Sequence, residues 1–160
     1  MDKFLLHQQV LARLAEDLLQ TEQAARVAHE TATHEENIAE NKYDTLGLEA
    51  AYLATGQARR AEAIRQAMAD WRQFHPRAYD ASQGIQLGAL VCLVDADDKQ
   101  QHLFLGPDGG SMKLVCGAGL VQVISSHAPL GRAMLGKREG DEVSIQIASV
   151  RQQFEVLRVH

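Results

Sequence analysis

The sequence predicts an α+β protein in two parts: a long antiparallel α-helical coiled-coil hairpin, then a small β-rich domain with one short helix. Three observations carry this. Asp2 to His34 contains neither glycine nor proline and repeats apolar residues at mostly three-four spacing. A second such stretch closes before Pro76. Beyond Pro76 the period falls to two or to short apolar runs.

In the first helix the seam is Phe4, Leu11, Leu14, Leu18, Ala25, Ala28 and Ala32. At 1.5 Å per residue this helix reaches about 50 Å, further than a compact domain of this size needs. The second helix runs through Ala50, Leu53, Ala61, Ile64, Met68 and Trp71, and ends where the residue before Pro76 is pushed out of helical conformation. Two long helices in succession imply a hairpin over residues 1–76. Its seam thins from leucine to alanine near residue 30, so close approach of the helices is expected towards a projecting tip.

Residues 77–160 form the second domain, with the boundary near residues 76 to 83. Strands are expected at Ile85–Val94, His102–Leu105, Lys113–Cys116, Val121–Ile124, Val143–Ile147 and Phe154–Val159. The turn chemistry of Asp95–Gln100 and Gly106–Gly110 separates them. The densest stretch is ISSHAPLGRAMLGKREGD, Ile124 to Asp141. Pro129 suits a first helical turn, and Ser125 or Ser126 can cap its free amides. Leu130, Ala133, Met134 and Leu135 make one apolar face, Gly136 a left-handed stop, and Gly140-Asp141 a turn into the final strands.

A chain of 160 residues, 46% hydrophobic and 23% charged, can hold a real core. Its net charge of −5 argues against a non-specific nucleic-acid binder. Charge is segregated: Glu30, Glu35, Glu36, Glu40, Asp44 and Glu49 face only Lys42, whereas Arg59, Arg60, Arg65, Arg72 and Arg77 follow. Cys92 and Cys116 lie in apolar runs without the close pairing of a zinc or redox motif, and read as reduced core cysteines. No signal peptide or membrane-length apolar run is evident, so no membrane association and a cytoplasmic location are expected.

The tip, His34 to Asp44, presents carboxylates at the turn of the hairpin. Either they are solvated surface, or they serve a hard cation such as magnesium, for which one or two protein carboxylates suffice when substrate and water complete the shell. His34-Glu35 lacks the second histidine of a zincin, and His29 with His34 is poorly spaced for one helical face. Gly106 to Lys113 lacks the Gly-Lys-Ser/Thr order of a phosphate loop. No local nucleophile signature stands out. Arg59, Arg60, Arg65 and Arg72 either solubilise the helix and pair with acids, or form a basic face near RNA.

The whole chain resembles the Gre family of transcript-cleavage and elongation factors. In the second half the resemblance rests on Gly88-Ala-Leu-Val-Cys-Leu-Val-Asp with its acidic turn, the proline-to-glycine helix, and the closing Gly140-Asp141-Glu142-Val143 and Phe154-Glu155-Val156 strands. In the first half it rests on Glu40-Asn41 followed by Tyr43. The resemblance implies an FKBP-like second domain that docks beside the secondary channel of bacterial RNA polymerase, and a hairpin threaded down that channel. The family's tip carboxylates help hold the polymerase's second catalytic magnesium, so that the polymerase cleaves its own backtracked transcript. It implies no enzyme activity and no cofactor of the chain's own, magnesium shared with the polymerase, indirect action on the nascent RNA 3′ end, and a monomer or weak dimer. Carried over, the tip set is Glu36, Glu40 and Asp44, and the docking set is Ser126, His127, Ala128, Pro129, Leu130 and Met134, with Arg59 and Arg60 near RNA. Asn37 stands where the family has aspartate, and Ala128-Pro129 replaces Ser-Pro. The departures leave room for a competitor that occupies the channel without supporting cleavage. A further alternative, a prolyl isomerase or protein-binding module, would need an aromatic-lined cleft built from Tyr79, Phe104 and Phe154.

Overall fold

The computed structural model describes residues 1–34, 45–117 and 119–160. Its elements are α1 (Lys3–Thr33), α2 (Leu46–Gln73), β1 (Leu90–Val94), β2 (Gln100–Gly106), β3 (Met112–Cys116), β4 (Gly119–Ser125), α3 (Pro129–Met134), β5 (Glu142–Ile147) and β6 (Val150–Val159). The α+β order of long helices followed by a sheet with one short helix is the one expected. Packing divides the chain into two compact units: Met1–Ala12 with Ala69–His160, and Arg13–Met68. The first turns of α1 and the last of α2 therefore pack with the sheet, although helical periodicity runs unbroken to residue 73.

In the helical unit α1 and α2 run antiparallel, with Arg65 Nη2 donating to Glu22 Oε1 at 2.5 Å and Arg65 Nη1 to Glu62 Oε2 at 3.0 Å. These two carboxylates push the Arg65 guanidinium above its ordinary range. Among the described residues the buried positions of this unit are Leu14, Thr21 and Ala28 on α1 and Ala50, Ala61, Ala67 and Met68 on α2. Thr21 escapes an apolar pattern because its hydroxyl donates to the Asp17 carbonyl at 2.7 Å, and so enters the seam satisfied. Leu53, expected in the seam, is 55% exposed, because Ala50, Ala54, Gln57 and Ala61 carry the three-four repeat. Nor does the alanine stretch bring the helices into close approach. A groove of about 660 Å³ opens there, lined by Ala24, Val27, Ala28, Leu46, Ala50 and Leu53, since methyl groups leave space that larger side chains would fill.

In the other unit the sheet order is β3-β4-β2-β1-β6-β5. Every pair is antiparallel except β2 with β4. Its central strand β1 is a continuous apolar run because both of its faces are covered. On one face Val91, Leu93, Leu103, Leu105, Val143 and Val156 join Ile85 and Met134 in the main core. On the other, alternation places Leu90, Phe104, Val121 and Val123, all buried, towards the helix ends. The first strand begins at Leu90 rather than Ile85, since Gly84 and Gly88 hold φ of 74° and 95° and break the extended chain. Ile85 instead bridges to the end of α3: its N–H donates to the Lys137 carbonyl and its carbonyl accepts from Gly136 N–H, both at 2.8 Å.

The helix ends are fixed by Trp71, which is fully buried. Its ring stacks on His7 at 6.0 Å between centroids, meets Phe74 edge-on at 5.7 Å and lies 6.1 Å from Phe104. His7 Nε2 lies 2.6 Å from the Trp71 carbonyl oxygen. Gly106 and Gly110 form the floor: a Cβ on either would lie 2.2 or 2.3 Å from the indole. Leu6 and Val10 are buried in this part of α1, whereas Phe4, expected in the seam, is 60% exposed. Lys3, Leu6 and Val10 hold the three-four register there, and Phe4 falls between them.

Gly110→Ala should destabilise the protein by about 1–3 kcal/mol through overpacking against Trp71. Gly56→Ala, in the interior of α2 with nothing within 4 Å of the added methyl, should stabilise it by about 0.5–1 kcal/mol. Urea unfolding followed by the emission of Trp71, the sole tryptophan, measures both.

Candidate functional site

The segment Ser125–Met134 is built on the one parallel strand pair. Because β2 and β4 run side by side in the same direction, their last residues Gly106 and Ser125 are register partners. Two residues beyond each, Asp108 and His127 therefore stand together. His127 Nδ1 lies 3.0 Å from both Asp108 carboxylate oxygens. The Ser125 hydroxyl donates to Asp108 Oδ1 and accepts from the His127 backbone N–H, the latter at 3.0 Å. The Ser125 hydroxyl, then His127, hold the Asp108 carboxyl below the usual carboxylate range.

This arrangement is not a nucleophilic relay. The serine proton goes to the carboxylate rather than to the imidazole, so nothing raises its nucleophilicity. Its effect is structural: the carboxylate ties the β2–β3 turn to the loop that opens α3. The helix itself starts at Ala128 in extended conformation with Pro129 in the first turn and no side-chain cap. The Ser125 hydroxyl binds one residue short of the expected helix cap, because the chain turns at His127 before the helix begins. Gly131 lets α3 lie on the end of β4, where a Cβ would come within 2.1 Å of the Ser125 carbonyl oxygen. Gly136, with φ of 76°, ends the helix as expected.

The docking set divides in two. His127 and Pro129 are exposed, and Ser126 and Ala128 are half-buried beside them. Leu130 packs against the main core, and Met134 is fully buried within it. Met134, expected in the docking set, does not belong to it: it anchors α3 and presents no surface to a partner. Leu135, expected on the apolar face, is 41% exposed, because the chain leaves helical conformation there. Asp108 was not singled out in the sequence. The turn Gly106-Pro-Asp-Gly-Gly reads as generic, and only the parallel pairing of β2 with β4 brings it to His127.

Arg59 and Arg60 are exposed on α2 and carry no ion pair among the described residues, whereas Arg65 is committed to Glu22 and Glu62. Glu36, Asn37, Glu40, Tyr43 and Asp44 lie outside the described residues. Among the described residues no group of three or more His, Cys, Asp or Glu side chains is placed to hold a metal ion, and no helix is long and apolar enough to cross a membrane. Tyr79, Phe104 and Phe154 do not line one cleft: Phe104 packs against Trp71 on one face of the sheet, and the other two pack against the core on the opposite face. Cys92 and Cys116 are free and buried, and burial raises the Cys92 thiol.

Residues 80–160 match the family model of the transcription elongation factor GreA/GreB C-terminal domain. The chain belongs to the GreA/GreB family. It is 30% identical over 102 residues to the transcription elongation factor GreA of Alkalilimnicola ehrlichii, covering 62% of this chain and 60% of that protein. It is 38% identical over 74 residues to GreA of Vibrio parahaemolyticus, covering 45% of this chain and 43% of that one. The chain thus spans less than two thirds of these relatives. Among solved structures it is similar to GreA factor homolog 1 (Gfh1) of Thermus thermophilus, with 24% identity, a TM-score of 0.40 and 94% of each chain covered. It is also similar to GreA/GreB from Nitrosomonas europaea, with 19% identity and a TM-score of 0.38 over 61% of this chain and 78% of that one. The GreA/GreB match takes in α3 and the loop before it.

The depressed Asp108 carboxyl gives a signed prediction. Its contribution to stability is present above the ordinary carboxylate range and is lost as pH falls through the lowered value. Carboxyl-carbon NMR titration should place Asp108 below the ordinary carboxylate range, and Ser125→Ala should move it upward. A midpoint unchanged by Ser125→Ala would refute the tie.

Proposed function

We propose that this chain acts as a Gre-type elongation factor that docks through the loop from Ser126 to Pro129 on bacterial RNA polymerase at the rim of the secondary channel. The observation that supports the docking face is the GreA/GreB match over residues 80–160, within which Asp108 and Ser125 brace an exposed loop above a buried Met134. A protruding proline on a braced loop meets a partner without first being ordered, which lowers the entropy lost on binding. The hairpin enters the channel, and Glu36, Glu40 and Asp44 lend carboxylate to the magnesium of the polymerase active site. The factor then has no active site or cofactor of its own; the polymerase cleaves the backtracked RNA by two-metal chemistry. Arg59 and Arg60 lie along the nascent RNA, and the factor works as a monomer.

Asn37 favours a second reading. An amide cannot replace the charge of the family's aspartate, so the chain would occupy the channel as a competitor and slow nucleotide addition.

Stalled, backtracked elongation complexes separate the two. Added protein should shorten the RNA 3′ end, and Glu36→Ala, Glu40→Ala or Asp44→Ala should each lower the cleavage rate by roughly tenfold or more without lowering polymerase binding. Inhibition of nucleotide addition with no shortening would establish the competitor. Equal loss of binding in the tip variants would show that the tip assignment is wrong.

A further inference from the structure

A second cleft lies within the sheet unit, where the chain leaves α2, passes the Gly84 and Gly88 bends and meets the end of β6. It encloses about 590 Å³ and is lined by Lys3, His75, Arg77, Tyr79, Asp80 and His160 among others. That volume is within the range of roughly 300–1,000 Å³ typical of small-molecule sites.

Its most telling residue is Lys3, only 9% exposed. The ammonium donates to the Arg77 carbonyl, and among the described residues no carboxylate pairs with it. A lysine ammonium carries three donors, so with its stem buried and one donor used Lys3 has donors to spare at the cleft, and burial lowers its pKa. Its place deepens the cost: a cation in the first turn of a helix opposes the helix dipole. The free amides of α1 are already served, because Asp2 Oδ1 accepts from Phe4 N–H at 2.8 Å and from Leu5 N–H at 3.4 Å. The helix end needs no anion; Lys3 does.

The remaining lining agrees in sign. Arg77, exposed at the rim, adds a second cation, and His75 and His160 add imidazole rings. The one acidic side chain of the lining, Asp80, is turned back on its own loop, accepting from Ser82 N–H at 2.9 Å and from the Ser82 hydroxyl at 2.7 Å. Phe74, Tyr79, Leu87 and Ala89 supply an apolar wall. An ammonium and a guanidinium suit the several acceptor oxygens of a phosphate, and the apolar wall suits a planar group attached to it.

We propose that this cleft binds a phosphate-bearing small molecule of about nucleotide size, with its phosphate oxygens taken by the Lys3 ammonium and the Arg77 guanidinium. The site is separate from the Asp108–His127 loop and does not depend on polymerase binding.

Isothermal titration of the full chain with ADP and with inorganic phosphate tests this. ADP should bind saturably and more tightly than phosphate, and Lys3→Met and Arg77→Gln should each weaken ADP binding by roughly tenfold. Lys3→Met keeps the alkyl packing and removes a buried charge, so its melting temperature should hold or rise, which separates lost binding from lost folding. No binding of ADP up to roughly 5 mM, equal affinity for phosphate and ADP, or unchanged affinity in both variants would overturn the proposal.

Discussion

The sheet unit depends on Trp71. A six-stranded sheet with Leu90, Phe104, Val121 and Val123 on its second face needs that face covered, and the short helix α3 covers only the first. The cover comes from the ends of two helices separated in sequence by the whole of the hairpin, and the indole holds them. It fits because Gly106 and Gly110 offer no side chain, so the ring rests on bare backbone. His7 and Phe74 close the sides, and His7 also engages the Trp71 carbonyl oxygen. A large aromatic on a glycine floor buries much apolar area in a close-packed setting, and close packing tolerates little change of volume.

That same glycine-rich turn serves a second end. Between Gly106 and Gly110 stands Asp108, turned outward to Ser125 and His127 while its neighbours press on the indole. The turn that seats Trp71 therefore also braces the loop in front of α3. Below that loop Met134 and Leu130 fix the helix in the core, and above it His127 and Pro129 remain exposed. The division is what a recognition surface requires, with apolar anchors to hold the backbone and polar or rigid groups left free.

Legibility in the sequence followed the range of the interactions. Periodicity located both long helices, since a helix is bonded four residues along its own chain. Turn chemistry located the bends at Asp95–Lys99 and Gly136, whose requirements are equally local. The seam is less legible. Phe4 and Leu53 are apolar and near the right spacing yet exposed, whereas Lys3 and Thr21 are polar yet buried, because each found a backbone carbonyl. Met134 read as part of a surface helix, although the buried face of a six-residue helix is decided by what lies beneath it.

By itself the sequence determined the α+β order, the two helical spans, most of the strands and the family, because local hydrogen bonding and the motif from Ile124 to Asp141 are written in consecutive residues. Tertiary structure alone decided the parallel pairing of β2 with β4, the seat of Trp71 on two glycines, and the bond of the Lys3 ammonium to the Arg77 carbonyl. Each of those joins residues far apart along the chain, and their partnership is set by how the sheet closes rather than by any local preference.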